Sequence, residues 1–562
     1  MRVASVCGRR LIQMLVILVA AARATAAQSL PEATVSALVG RSAPDEVTVR
    51  AVRLDSPLTL DGRLEESVYG AIAPLTDFIQ QEPREGEMAT EKTEAWILFD
   101  DANLYVAARC WDSQPDREVA NELRRDNGNI LGNENVTFVI DTLHDRRNGY
   151  LFQTNPLGAL RDMTITDDQQ NQAWNGIWYV KAARFEHGWT VEVSIPFKSL
   201  RYRTGGPQTW GINLRRLVKW KNEFSYLSLV PAALGTGGVS RMASAATLVG
   251  LETPAASKNI ELKPYAVASA TTNRATPLPY DNRLHADAGL DIKYGLTRSL
   301  IVDGTYRTDF AQVEEDLQQV NLTRFSLFFP EKRDFFIEGQ GIFDFGGVQA
   351  GSSPGDVPLL FYSRQIGLSN GQAVPVLAGA RLTGRAGAYS IGALNIQTER
   401  EPDAAALATN FTALRFKRNL LRRSNVGVLA TRRGPAVGAA GAVTGDPSYT
   451  AGVDATMLFL TSINLTGYYA RTETPVATGA EVAGTSYRGR FDFTTDRYGA
   501  AAEHMLIGPG FQPEVGFVRR TDVRRSFGQL RFSPRPARNA LVRKLTWQAG
   551  LDYLTDAAAI AL

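Results

Sequence analysis

The 562-residue chain contains two cysteines and four histidines. Cys7 lies in an N-terminal stretch read below as a removable leader, which leaves Cys110 alone. An internal disulfide and a CxxC metal site are both excluded. No two of His144, His187, His285 and His504 are spaced as a metal-binding pair. Past the leader, no apolar run approaches the roughly 20 residues of a spanning helix. A β-barrel stays open, because strands of about 9–11 alternating residues average to near-neutral hydropathy. A dominant charge is missing too. Taking the leader's Arg2, Arg9, Arg10 and Arg23 from 61 Lys+Arg leaves 57, against 58 Asp+Glu. Global charge therefore gives no argument for nucleic acid. H-E-x-x-H, P-loop and G-x-G-x-x-G patterns are absent. "GSSPG" (351–355) has the form G-x-S-x-G around Ser353, but Pro358 opposes the helix that motif needs. Glu314, Glu315 and Asp316 are adjacent, which is not how two glycosidase carboxyls face a substrate.

What is present begins with "MRVASVCGRRLIQMLVILVAAARATAA". Arginines, an apolar run from Leu11 to Ala22 and an A-x-A sequence at Ala24–Ala26 predict a secretory signal peptide over residues 1–27. Residues 28–45 read as a linker: small, polar and without pattern.

Two all-β regions are expected after it. Over residues 46–255, "EAWILFD", "NLYVAARCW", "NVTFVI" and "WTVEVSIPF" alternate and are separated by turn signals, predicting an antiparallel β-sandwich. Glu192 and Ser194 fall on the face away from the core, and Cys110 reads as a buried small hydrophobe. Over residues 256–562 the alternation lengthens, as in "AGLDIKYGL", "SINLTGYYA", "RGRFDFTTD" and "LTWQAGLDYL". Charges recur on one register and aromatics near the strand ends, the pattern of a transmembrane antiparallel barrel with a polar lumen. A large soluble sheet with one solvated face is the alternative. Residues 308–347 break the alternation: Val313, Leu317 and Val320 have helical spacing, and seven phenylalanines follow. Either a plug folded into the lumen or a mini-core under a loop would account for them.

Chemistry concentrates in "DTLHDRRNGYLF" (141–152), where Asn148-Gly149 predicts the turn of a hairpin. Asp141, Asp145, Arg146 and Arg147 can pair within it; a purely structural loop is the first reading, and its best functional role is to line a ligand groove or to dock against the barrel. Aromatic faces beside amides and carboxylates are how proteins hold sugar rings. The candidate ligand-binding residues are Trp174, Trp178, Trp111, Asn155, Arg146, Arg147 and Asn148. The oxygen-rich "TDDQQNQ" (166–172) makes Asp167 and Asp168 candidates for a structural calcium, with a polar turn as the plainer reading.

Several of these stretches resemble known families. "LTLDGRLEESVYG" (58–70), "ILFDDANLYVAARCWD" (97–112) and "WTVEVSIPFKSL" (189–200) resemble the family 9 carbohydrate-binding module. The resemblance implies a sugar-binding sandwich that commonly holds calcium, with Tyr69 where that family usually has Trp. "DTLHDRRNGYLFQTNPLGALRDM" (141–163), "NLTRFSLFFPEKRDFFIEGQGIFDF" (321–345) and "GPGFQPEVGFVRRTDVRRS" (508–526) resemble exported bacterial proteins of the domain-of-unknown-function 5916 type. These pair such a sandwich with an outer-membrane barrel. The chain ends on "DAAAIAL" without the terminal aromatic strand usual for such barrels, so a truncated barrel is expected.

The function expected is non-catalytic glycan binding by a periplasmic sandwich, coupled to anchoring or transport by a barrel in the bacterial outer membrane. Its partners would be a carbohydrate and membrane lipid, with an envelope protein as a further possibility and no nucleic acid. Alternatives are a glycoside hydrolase of polysaccharide catabolism and a structural envelope-interaction protein.

Overall fold

The computed structural model describes residues 35–562 except 167, 173, 203–205, 255–259, 275–279, 298–299, 308–320, 322–324, 350–352, 370–371, 403–405, 421–423, 436–446, 461, 476–480, 537–541, 543, 559 and 561–562. The leader, Asp167, Val313, Leu317 and Val320 lie outside the described residues.

Two sheets face each other in the N-terminal region. One runs Gln169–Asn171, Arg161–Thr166, Gly149–Thr154, Asn135–Asp141, Pro207–Val218, Ala246–Glu252, Glu46–Arg50 and Leu38–Ala43, with Glu223–Tyr226 and Ile79–Glu82 attached beside Pro207–Val218. The other runs Tyr179–Phe185, Gly188–Pro196, Asn103–Trp111, Thr93–Phe99 and Val52–Arg53. The four alternating stretches read from sequence are all strands here. Inward residues of the two sheets, among them Ile97, Val106, Phe138, Val193 and Trp210, form one buried core. Cys110 belongs to it, and burial pushes its thiol up to about 11, which leaves it unreactive.

Three expectations need correction. Residues 38–43, read as linker, form a strand paired with Glu46–Arg50. The short "LVGRSA" alternates too weakly to announce a strand, and its partner across Pro44–Asp45 supplies the order. Glu192, read as facing outward, is buried beneath the crossing segment 58–72. It accepts hydrogen bonds from the Asp61 and Gly62 N–H groups at 3.1 and 2.9 Å and from the Tyr69 hydroxyl at 2.7 Å. The third concerns the turn of the 141–149 hairpin. The left-handed residues are His144 (φ 50°) and Arg146 (φ 62°), while Gly149 already belongs to the returning strand. A Cβ on Gly149 would sit 2.5 Å from the Ile140 carbonyl oxygen, so glycine is required there for close approach rather than for the turn.

The C-terminal region is a single sheet of 13 sequential antiparallel strands from Ile260–Asn273 to Trp547–Thr555. Among the described residues these two end strands pair with their neighbours and not with each other. The faces are inverted relative to a soluble protein. Phe416, Val428, Val453, Tyr469 and Leu551 are 49–71 % exposed on the outer face, whereas Arg381, Arg415 and Glu503 are buried on the inner one. Tyr498, Phe532 and Trp547 stack in series on the outside, with centroids 5.5 and 5.7 Å apart.

The segment between Tyr306 and Val376 leaves the sheet and packs against its inner face. Phe343, Phe345, Leu360, Phe361 and Ile366 share a buried cluster with Val376, Leu394, Phe411, Leu429, Tyr468, Met505 and Val523. The strands of Val376 and Val523 are eight steps apart in the sheet. At about 4.8 Å per step, a flat sheet would hold them roughly 40 Å apart. Residues of the inserted segment and of both strands nevertheless belong to one buried cluster. The irregular segment also continues past Gly347, the end expected from sequence, to the next sheet strand at Val376.

Connections at the two ends of the sheet differ. At one end 296–299, 387–388, 421–423, 460–462 and 495–497 are short, with 533–546 the exception. At the other end 307–375, 399–408, 436–447 and 508–522 are long, while 274–279 and 476–480 are of six and five residues. The sandwich sits at the short-turn end.

Candidate functional site

The hairpin tip 141–149 is ordered by its own carboxylates. Asp141 accepts the N–H groups of Asp145 and Arg146 at 3.2 and 2.6 Å. Burial raises its carboxyl above the usual range, and neighbouring Asp145 adds to the shift. Asp145 accepts the N–H groups of Arg147 and Asn148, each at 2.8 Å, and the Asn148 side-chain amide at 2.7 Å.

The rigid tip then docks on the sheet. Asp145 pairs with Arg385 beside the 387–388 turn. Arg147 donates to Asn419 Oδ1 at 3.1 Å and to the Ser424 carbonyl at 2.8 Å, at the facing ends of two successive strands. Arg146 instead turns back into the sandwich, toward the Ala245 carbonyl and Thr247 Oγ1. These three charged or amide residues, expected as ligand contacts, are engaged in structure.

A second junction joins all three parts of the chain at one carboxylate. Glu338 of the inserted segment pairs with Arg201 of the sandwich and with Lys293 of the strand Tyr280–Gly295. Gln349 donates to the Gln170 carbonyl at 3.2 Å, and a Cβ on Gly341 would meet Thr166 Oγ1 at 2.7 Å. The inserted segment therefore leaves from the long-loop end, runs along the inner face and reaches the sandwich.

Buried ion pairs fasten it on the way. Arg415 holds Asp454 at 2.6 and 2.9 Å and donates to the Asp344 carbonyl at 2.7 Å, while Asp454 accepts the Gly346 N–H at 3.1 Å. Arg488 holds Glu503 at 2.6 Å and donates to the Gly346 carbonyl at 3.1 Å. Gly346 and Gly347 have φ of 63° and 76°. A Cβ at Gly346 would meet the Tyr468 ring at 2.5 Å, so the segment turns where only glycine fits.

The expected aromatic platform is not assembled. Trp178 is buried, its ring 5.2 Å from Phe152 and its N–H donating to Asp162 at 3.0 Å. Trp174 packs on Tyr150 and Phe152 at the edge of the sandwich core. Trp111 is half-buried on Phe185 and donates to Glu94 at 3.1 Å. Asn155 is wholly buried: its amide donates to the Glu122 carbonyl and Asn133, and its oxygen accepts from Leu157 and Ala159. An aromatic beside a loop is as good a core edge as a sugar platform, and only the tertiary packing separates the two. Asp168 is occupied by Arg241 Nη1 at 3.0 Å and the Met242 N–H at 3.3 Å. Among the described residues, no group of three or more His, Cys, Asp or Glu side chains is placed to hold a metal ion. Ser353 precedes a turn at Pro354–Val357, with no helix after it.

A different aromatic, outside the candidate set, is placed at a cleft. Trp220 lies between Lys219 and Lys221 in "VKWKNEF", on a turn closed by left-handed Asn222. It lines a cleft of about 440 Å³ together with Arg84, Thr90, Arg117, Lys221 and Glu223. The turn is braced from below. Buried Glu134 accepts the Lys219 N–H at 2.6 Å, and the Trp220 N–H donates to Asp112 at 3.3 Å. An aromatic flanked by lysines in a turn was the available signal.

Burial lifts the Glu134 carboxyl from the usual 4.5 to about 7, against the lowering effect of Arg216. A raised folded-state value means that this stabilisation is complete below about pH 4.5. It is lost as pH rises through about 7 and amounts to about 3 kcal/mol at most. Seven of the eight tryptophans lie in the sandwich, so tryptophan fluorescence reports its unfolding. The wild-type denaturation midpoint is expected to fall between pH 4.5 and 7, and Glu134→Gln to flatten that fall. Parallel pH profiles for the two proteins would contradict this account.

Comparison with known protein families matches two separate stretches of the chain. Residues 60–217 match the carbohydrate family 9 binding domain-like model, and residues 258–410 match a domain of unknown function (DUF5916). No curated protein matches the chain. Among solved structures it is similar to a family 9 carbohydrate-binding module from Caldicellulosiruptor kristjanssonii in complex with glucose. Identity is 16%, with 38% of this chain and 98% of that one covered and a TM-score of 0.26. A putative carbohydrate-binding protein from Bacteroides uniformis is 15% identical over 36% of this chain and 98% of its own, with a TM-score of 0.29. OccAB1 of Acinetobacter baumannii is 10% identical over 75% of this chain and 79% of its own, with a TM-score of 0.25.

Proposed function

We propose, for a chain that joins a carbohydrate family 9 binding domain-like region to a DUF5916 region, that it is an outer-membrane protein that binds glycans through a periplasmic sandwich. The inversion of polarity across the 13-stranded sheet carries this reading. Leucine, valine, phenylalanine and tyrosine are exposed outside, and ion pairs are buried inside. Water would penalise that arrangement, whereas hydrocarbon rewards it. The stacked Tyr498, Phe532 and Trp547 suit an interfacial aromatic girdle.

The connections support an orientation. Outer-membrane barrels keep short turns on the periplasmic side and long loops outside. The sandwich meets the short-turn end, which supports a periplasmic position and accords with export by the N-terminal leader. The inserted segment then acts as a plug on the inner face. The domain-like match over residues 60–217 supports a carbohydrate as the ligand.

The test is fractionation of expressing bacteria, followed by electrophoresis with and without boiling. The chain is expected in the outer-membrane fraction with heat-modifiable mobility. Recovery as a freely soluble protein would overturn the membrane reading.

A further inference from the structure

The Trp220 cleft has a charge pattern of its own. Both oxygens of buried Glu223 are used inside the wall, accepting from the Thr90 N–H at 2.9 Å and the Thr90 hydroxyl at 2.7 Å. Lys221 is neutralised by Glu91. Arg84 is paired with Glu87 at 3.2 Å. Arg117 differs from these. Its guanidinium lies 4.6 Å from the Trp220 ring centroid and donates to Gln114 at 3.4 Å, and among the described residues no carboxylate lies within salt-bridge distance of it. Lys221 also lies over the same ring, at 4.8 Å.

Of the two carboxylates lining the cleft, Glu223 is spent on Thr90 and Glu87 on Arg84, and the capacity left over is that of a donor. A guanidinium stacked on an indole keeps its fork in a fixed plane, and that fork matches a planar carboxylate through two parallel hydrogen bonds. The cleft also adjoins the mouth of the sheet: Glu82, next to lining residue Pro83, pairs with Arg535 of the 533–546 connection at 3.4 Å. We infer that the Trp220 cleft binds the carboxylate of an acidic saccharide, with Arg117 as the anion-binding group and Trp220 as the residue that positions it. This rests on the glycan-binding reading above and specifies its ligand as uronate-bearing.

The experiment is calorimetric titration of the full chain in detergent with a galacturonic acid trimer and with a neutral galactose trimer of the same linkage. The acidic trimer is expected to bind about tenfold or more tightly than the neutral one, the worth of one charge-assisted contact. Added salt is expected to erode the preference. Arg117→Met and Trp220→Leu should each abolish it. Arg117→Lys, which keeps charge but loses the fork, should retain only part. Arg124→Met, outside the cleft, should leave it intact. Equal affinity for the two trimers, or an undiminished preference in a folded Arg117→Met protein, overturns this inference and leaves glycan binding standing. Binding of neither trimer overturns both.

Discussion

Replacing Arg415 with methionine will destabilise the C-terminal region by about 3–5 kcal/mol, because one change strands a buried charge and unfastens the inserted segment. Arg415 is fully buried and holds both oxygens of Asp454. The same guanidinium donates to the Asp344 carbonyl, and Asp454 accepts the Gly346 N–H. With methionine in place, Asp454 keeps its charge on the inner face with that one backbone donor remaining. Two readouts should move together. The temperature at which the folded, fast-migrating form converts to the unfolded form should drop, and the segment around Asp344–Gly347 should become open to protease in the folded protein. The double variant Arg415→Met/Asp454→Leu should recover much of the loss, since removing both charges removes the desolvation penalty. A single variant as heat-resistant and protease-resistant as the wild type would show that this pair does not fasten the segment.

The second large effect is expected at the hairpin tip. Asp145→Lys removes the acceptor for the Arg147 and Asn148 N–H groups and for the Asn148 amide, and it sets a cation against Arg385. Truncating one partner of a buried, hydrogen-bonded charge pair at an interface costs about 2–5 kcal/mol, and a like charge adds repulsion. Arg147 then also loses the backbone geometry that aims it at Asn419 and Ser424. The sandwich should undock without unfolding. Limited proteolysis is expected to cut between the two regions, near residues 253–260, and to release an intact N-terminal fragment with its tryptophan core in place. Arg385→Asp in the same chain should restore part of the docking. Unchanged resistance to cleavage would show that the remaining contacts, at Arg201–Glu338 and Arg535–Glu82, suffice to hold the two regions together.

The docking explains why "DTLHDRRNGYLF" is so rich in charge. Within the sequence it reads as a self-paired hairpin, and the hairpin is present: Tyr150 lies opposite Ile140 and Phe152 opposite Phe138. Of the two roles the sequence left open, lining a groove or docking on the sheet, the tip performs the second. Arg147 reaches its partners across 272 and 277 residues of chain. No local pattern encodes contacts at such separations.

By itself, then, the sequence determined the all-β character, the strands Thr93–Phe99, Asn103–Trp111, Asn135–Asp141 and Gly188–Pro196, and the apolar and polar faces of the long strands. These follow from a two-residue period, which every strand carries within itself. It also placed the break in alternation near residue 308, where the inserted segment leaves the sheet. Tertiary structure alone decided the rest. It covered Glu192 with the 58–72 crossing and buried Trp178 and Asn155 in closed hydrogen-bond networks. It ran the inserted segment along the inner face to Arg201 and gathered Arg84, Arg117 and Trp220 around one cleft. The reason is the range of the forces involved. Alternation is settled between neighbours on one strand, whereas burial, ion pairing and the use of a carboxylate depend on which distant strand arrives beside it.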